Sequence, residues 1–202
     1  MKDKKLTRSE LKRAAIVDAA SVEFQNKGFS LASMDEIAKR ADVSKRTVYN
    51  HFPSKEALFS AIMLEMMAML CAFEVVPYRA DEDLAVQLTQ LVQHEIKLLS
   101  AKGFIDTSRV IIAEAIHKPE LIQGAMSEFT KQESPLAGWF NQAIAAGALK
   151  AANSEVLVIQ FTAVIKAFCF WPQLIQGEPL PSQAKLDEIT QTVVDMIIKQ
   201  YT

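Results

Sequence analysis

Residues 33–56 read Ser-Met-Asp-Glu-Ile-Ala-Lys-Arg-Ala-Asp-Val-Ser-Lys-Arg-Thr-Val-Tyr-Asn-His-Phe-Pro-Ser-Lys-Glu, and their reading decides the fold around them. Ser33 followed by Glu36 is a capping-box signature that opens a short helix. Ser44 caps a second short helix, and Asp42 falls in the turn between them. Pro53 ends the second helix and forces Phe52 out of the α region. Ser54 then begins a third, long helix.

Placing residues 44–52 at about 100° per residue sorts them into faces. Val48 and Phe52 fall together and point to a core. Opposite them lie Arg46, Thr47 and Asn50, with Lys45 and Tyr49 on one flank and His51 on the other. Arg pairs with guanine N7 and O6, Asn with adenine, and a Thr methyl meets a thymine methyl. Lys, Tyr and His donate to phosphate, which sets register without reading sequence. The pattern is that of a helix-turn-helix with Arg46, Thr47 and Asn50 as base readers. Ser33, Lys45, Tyr49, His51 and Lys55 are the candidate phosphate contacts. Ile37, Ala38 and Ala41 on the preceding helix face inward and support the crossing. The capped start of that helix presents backbone N–H groups suited to a phosphate.

Outward from this stretch the chain reads as helix throughout. A helix over about 9–26 is expected, stopped by Gly28, where positive φ is favoured. The long helix from Ser54 is expected to reach about Val76 and close at Pro77. Further helices are expected over 81–101, 106–117, 119–146 (kinked or split at Pro135), 153–171 and 182–200. Segments 106–117 and 153–171 are apolar around most of their surface, which implies neighbours on more than one side. The fold class is therefore all-α, with about nine helices. An N-terminal three-helix domain (1–55) is joined by a long fourth helix to a C-terminal bundle (56–202).

Charge follows the same division. Residues 1–55 hold 12 Lys/Arg against 7 Asp/Glu, a net of +5, and residues 56–202 hold 10 against 17, a net of −7. A basic head on an acidic body suits a protein that touches phosphate with one end only. Cys71 and Cys169 lie in apolar helical runs with no ligand spacing around them, which suits core packing and neither a disulfide nor a zinc site. The Met-rich run 57–76 is interrupted by Glu65 and Glu74, so no membrane segment is expected there. A cytoplasmic protein is expected.

The segment Met34–Phe52 with its Pro-Ser-Lys-Glu-Ala-Leu tail, preceded by the Lys12–Phe29 helix ending in Gly-Phe, resembles the DNA-binding domain of the TetR family of transcriptional regulators. The resemblance covers about residues 10–60. One departure is Asp42, where many members place Gly; aspartate tolerates the left-handed backbone better than most residues, so the resemblance implies a slightly strained turn there and not a different motif. The resemblance implies a homodimer on a near-palindromic operator, its reading helices roughly 34–36 Å apart. It further implies repression ended by a small-molecule effector in the C-terminal domain, and dimer contacts through helices 153–171 and 182–200.

For an effector the sequence offers aromatics and a few polar groups. Phe104, Phe129, Trp139, Phe140, Phe161, Phe168, Phe170 and Trp171, with Met126, suit either an apolar pocket or plain core. Polar candidates are His94, Arg109, Glu114, His117, Asn141, Gln142 and Lys166. Arg109 and Lys166 stand in apolar segments and need a carboxylate or an anionic ligand as partner. The ligand set taken forward is His94, Arg109, Trp139, Phe140, Phe161 and Phe168. No cofactor is expected. The alternatives are a helix-turn-helix regulator controlled without a small molecule and, remotely, an all-helical enzyme. No metal triad, phosphate loop or nucleophile–base signature supports the enzyme. Asp35 and Glu36 are adjacent carboxylates, but the helix dipole at a first turn accounts for them.

Overall fold

A computed structural model of the chain describes residues 7–72, 76–120, 122–123 and 134–202. Among these the structure is all-α, with no strand. The helices are α1 (Arg8–Leu31), α2 (Met34–Arg40), α3 (Lys45–His51), α4 (Lys55–Ala72), α5 (Leu84–Leu99), α6 (Phe104–His117), α7 (Pro135–Ala145), α8 (Ser154–Cys169) and α9 (Gln183–Tyr201). A π-helical turn, Pro172–Gln176, follows α8.

The chain forms two compact units. One holds residues 1–68 and 106–130, the other 69–105 and 131–202. In the first unit Ile16, Ala20 and Phe24 of α1, Ile37 of α2, Val48 of α3, and Leu58, Phe59 and Met63 of α4 make one core, joined by Ile111 of α6. Phe24, Phe29 and Phe59 stack pairwise with ring centres 5.3–6.3 Å apart. In the second unit α8 packs on α5, α7 and α9, and α9 also packs on α5. Its core includes Leu88, Val92, Phe140, Leu157, Phe161, Ile165, Val193 and Ile197.

Several boundaries differ from the expectation for local reasons. Helix α1 starts earlier, because Thr7 and Glu10 close a reciprocal capping box. At Gly28 the backbone takes φ 74°, ψ 163°, a region essentially reserved for glycine. One further turn, to Leu31, follows that kink. At α2 the Ser33 hydroxyl accepts from the Asp35 N–H. The reciprocal half of the expected box is not made, because Glu36 pairs with Lys39 at 2.7 Å. Phe52 lies at φ −138°, ψ 105°, as Pro53 demands. Segment 119–146 does not run as one described helix. Its last part, α7, starts with Pro135 in the first turn, where a missing N–H costs nothing. Residues 73–75 of the expected fourth helix, and Met126 and Phe129, lie outside the described residues.

Burial also differs. Helix α6 is not covered all round: Ile111 is buried while Ile116 is 74% exposed. Segment Ser154–Gln176 is long and apolar enough to cross a membrane by composition. Its inner row, Leu157, Phe161, Ile165 and Cys169, is nevertheless buried in the bundle. Outward, α8 and the turn after it expose Val156, Ile159, Phe168, Trp171 and Ile175. Helix α9 spends its apolar stripe inside and shows Asp187, Glu188, Gln191, Thr192 and Lys199 to solvent.

Candidate nucleic-acid interface

Each residue of the turn between α2 and α3 has a local reason for its position. The Ala41 N–H closes α2 on Ile37, and Val43 N–H reaches back to the Ala38 carbonyl. Asp42 is the one non-glycine with positive φ among the described residues, at 52°. Ser44 then caps α3, its hydroxyl accepting from the Thr47 N–H at 3.1 Å. Val48 is fully buried and Phe52 nearly so, which fixes the rotation of α3 about its axis.

With that rotation set, Arg46, Asn50, Lys45 and Tyr49 are exposed, while Thr47 and His51 are half-buried. The Thr47 hydroxyl lies 2.8 Å from the Ser44 hydroxyl. The expected base readers therefore share one outward face, although the Thr47 hydroxyl is already engaged. Lys45 is also engaged: its ammonium sits 2.8 Å and 3.1 Å from the two carboxylate oxygens of Asp35 on α2. That carboxylate raises the Lys45 pKa above the usual lysine value.

Lys55, at the start of α4, is turned into the unit. Its ammonium donates to the carbonyls of Ser30 and Ala32 at 2.9 and 3.1 Å. It also stands 4.7 Å from the centre of the Phe29 ring. These contacts satisfy carbonyls left over at the end of α1, so Lys55 ties α4 to the turn that precedes α2. Ser33 is occupied as a cap, as above.

Other clamps were not signalled by the sequence pattern. Glu23 on α1 is 2% exposed, with the Lys27 ammonium at 2.7 Å and the Arg40 guanidinium at 3.8 Å. Arg40 closes α2, so this carboxylate joins α1 to the end of the supporting helix. Arg13 pairs with Glu65 of α4 at 3.1 Å and lies 5.2 Å from the Phe52 ring. The Thr7-x-x-Glu10 spacing could have been found by inspection. The Glu23–Lys27 pair has ordinary i, i+4 helix spacing, but the Glu23–Arg40 and Arg13–Glu65 pairs could not be found so, because they join residues distant in sequence.

The ligand candidates are dispersed. Trp139, Phe140 and Phe161 are buried and stack edge-on in a row, at 5.3 and 5.6 Å. Tyr78 abuts the outer end of that row, 5.4 Å from Trp139. His94 lines a small cavity of about 50 Å³ with Trp139, Leu91, Gln87, Gln90 and Pro77. Burial, helped by the nearby Lys97 charge, holds the His94 imidazole below its ordinary pKa. Phe168 does not join this row; it is 41% exposed, with the Lys185 ammonium 5.7 Å from its ring. Arg109 belongs to the other unit, where it pairs with Asp106 at 3.1 Å. The Lys166 charge acts on Glu95 of α5, whose pKa is raised by burial and partly drawn back by that ammonium. Cys169 is fully buried, and burial pushes its thiol up, which disfavours the reactive thiolate. No cluster of three metal-ligating side chains occurs among the described residues.

This architecture recurs in known proteins. A family model described as "Bacterial regulatory proteins, tetR family" matches residues 16–62. A second, "AefR-like transcriptional repressor, C-terminal domain", matches residues 86–202. A TetR family transcriptional regulator from Pseudomonas syringae pv. tomato str. DC3000 is 36% identical, covers 97% of this chain and 98% of its own, and superposes with a TM-score of 0.81. The flavonoid-responsive regulator FrrA is 25% identical over 95% of this chain and 97% of its own, with a TM-score of 0.75. The transcriptional regulator RutR of Escherichia coli strain K12 is 25% identical over 197 residues, 93% of this chain and 89% of RutR. These relatives are regulators, not enzymes. An exposed Arg46–Asn50 face, a core-locked α3 and a helical body matched along its length lead to one statement: the chain belongs to the TetR family of DNA-binding transcriptional regulators.

Proposed function

We propose that this protein is a cytoplasmic, homodimeric repressor that reads a near-palindromic operator and is released by a small, mainly apolar effector. Residues 1–55 act as the reading head and 56–202 as the effector and dimerisation body. The observation that carries the DNA-reading part is the outward face of α3. Arg46 and Asn50 stand exposed beside Thr47, while Val48 and Phe52 hold the helix from below. Arg46, Asn50 and the Thr47 methyl address base edges. Tyr49, His51 and Lys45, once released from Asp35, address phosphates. Ser33 and Lys55 serve chiefly by positioning the backbone around that face, with one ammonium proton of Lys55 left for phosphate.

Dimerisation is supported by the apolar row on α8, Val156, Ile159, Ala163 and Ala167, exposed along a helix at i, i+3, i+4 spacing. A groove of about 410 Å³ beside it, between α8 and α9, is lined by Gln160, Ala163, Val164, Met196, Lys199 and Tyr201. Helix α8 supplies the apolar contact and α9 a polar border. Repression is favoured by the description of the matching C-terminal family model.

An effector site is best sought around His94 and Trp139, with Phe140 and Phe161 behind; Phe168 does not join that row, and Arg109 belongs to the other unit. The cavity there is far smaller than the roughly 300–1,000 Å³ of ordinary ligand pockets, so an effector has to open it. That small size also favours a second reading, regulation without a small molecule. The flavonoid-responsive relative supports the first.

Selection of bound duplexes from random DNA tests the reading. A single inverted repeat should emerge. Arg46→Ala should lose about 1–3 kcal/mol of discrimination at one base position per half-site. Enrichment of no sequence, or equal losses on every sequence, would refute the assignment of Arg46. Thermal-shift screening of apolar compounds separates the two modes of control, since a ligand selective for the folded state raises Tm.

A further inference from the structure

We infer that Asp35 competes with DNA phosphate for Lys45 and thereby sets the affinity of the reading head. The inference rests on the interface proposed above. Lys45 flanks the base-reading face of α3, where a cation would meet the DNA backbone. Both of its near-contacts, at 2.8 and 3.1 Å, are to one carboxylate, that of Asp35 in the first turn of α2. Asp35 is itself held in place, because its N–H donates to the Ser33 cap.

Both side chains are more than half exposed, at 60% and 52%. The pair is therefore open to water and to an approaching phosphate, and an exposed pair of this kind is weak enough to exchange. Two consequences follow when DNA arrives. Lys45 has to leave Asp35 before it can donate to phosphate. Asp35 is then left as an uncompensated negative charge at the rim of a polyanion. Each effect lowers affinity without touching a base edge. Lys39 and Glu36 on the same helix pair with each other at 2.7 Å, so the direct contacts of Asp35 with a cation are those to Lys45.

Charge counting gives the measurable form. With Asp35 present, the Lys45–Asp35 pair brings no net positive charge to the interface; without it, Lys45 brings one. Counterion release scales with net phosphate neutralisation, so Asp35→Asn should steepen the log–log salt slope by about one. Affinity at low salt should rise about three- to ten-fold, alike for the selected operator and for random duplex. Asparagine keeps the size of the side chain and the N–H donated to Ser33.

The test is fluorescence anisotropy of labelled duplexes titrated with full-length wild type, Asp35→Asn, Lys45→Gln and the double variant, over a salt series. The expected result is a gain for Asp35→Asn that shrinks at least two-fold on the Lys45→Gln background, because the competed cation is gone. An equal gain on both backgrounds would overturn the inference and leave simple repulsion. No gain, with melting curves unchanged, would also overturn it while the interface stands on the Lys45→Gln loss. Wild-type protein that binds no duplex would overturn both the interface and this inference.

Discussion

Lys55 shows how a residue's neighbours redefine it. Its position at the head of α4 suggests a free cation for phosphate, yet two of its three donors are taken by Ser30 and Ala32. Charge-assisted bonds to otherwise orphaned carbonyls contribute more than ordinary ones. Lys55→Ala should therefore destabilise the protein by about 1–3 kcal/mol, read as an earlier chemical-unfolding midpoint, beside any loss of DNA binding. An unchanged midpoint would return Lys55 to a purely DNA-facing role. Asp42 makes the opposite case. Its φ of 52° is tolerated by aspartate but natural to glycine. Asp42→Gly should leave α2 and α3 in place and stabilise by about 0.5 kcal/mol. A loss of stability would mean the carboxylate makes a contact worth more than the backbone relief. The strain at this position was legible in the sequence through the resemblance, which sets Asp42 where glycine is usual. The role of Lys55 was not, since its acceptors are 23–25 residues away.

At the level of the element, α5 carries two adjacent titrating residues with opposite tendencies. His94 is held below its ordinary value of 6.5 by burial and by Lys97. A depressed folded-state pKa means that the unfolded chain binds more protons in that window. The stability His94 contributes is thus present above pH 6.5 and is lost as pH falls through the folded value. Glu95 is raised above 4.5 by burial, partly offset by Lys166. Its contribution is present below pH 4.5 and is lost as pH rises through the raised value. Urea-unfolding midpoints measured from pH 4 to 8 should separate the two. His94→Gln should remove part of the decline below pH 6.5, and Glu95→Gln should remove part of the decline above pH 4.5. Identical profiles for wild type and both variants would place the titrating groups elsewhere. Asn153 and Ser182, where the sequence starts two helices, cap α8 and α9 as their residue types predict, while α5 starts behind Asp83 at Leu84 and not at the expected 81. The π-helical turn after α8 does not follow from residue type. Pro172 starts it and Gly177, at φ 70°, ends it, but either residue would equally permit a plain stop.

For the whole molecule the deciding surface is the outer face of α8. A monomer leaves Val156 and Ile159 at least half exposed, beside Ala163 and Ala167. An exposed apolar row of this length suits the interface of the proposed dimer. Ile159→Glu should keep the fold, since the side chain is 59% exposed, but halve the mass measured by sedimentation equilibrium at micromolar concentration. Operator affinity should fall with it, because two linked heads bind far better than one. A variant that stays dimeric would move the interface to another face.

The sequence by itself determined the all-α class, the caps and breaks of the reading head, and the face of α3 that looks outward. Those features depend on residues within a few positions of one another: Ser44 with Thr47, Val48 with Phe52, Phe52 with Pro53. Only the tertiary structure decided which cations are already paired, that Lys45 answers to Asp35 and Lys55 to the end of α1. It alone showed that α9 turns its apolar stripe inward while α8 keeps one outside. Those facts arise where helices distant in sequence meet, and helical periodicity states only that a face is apolar, not what covers it.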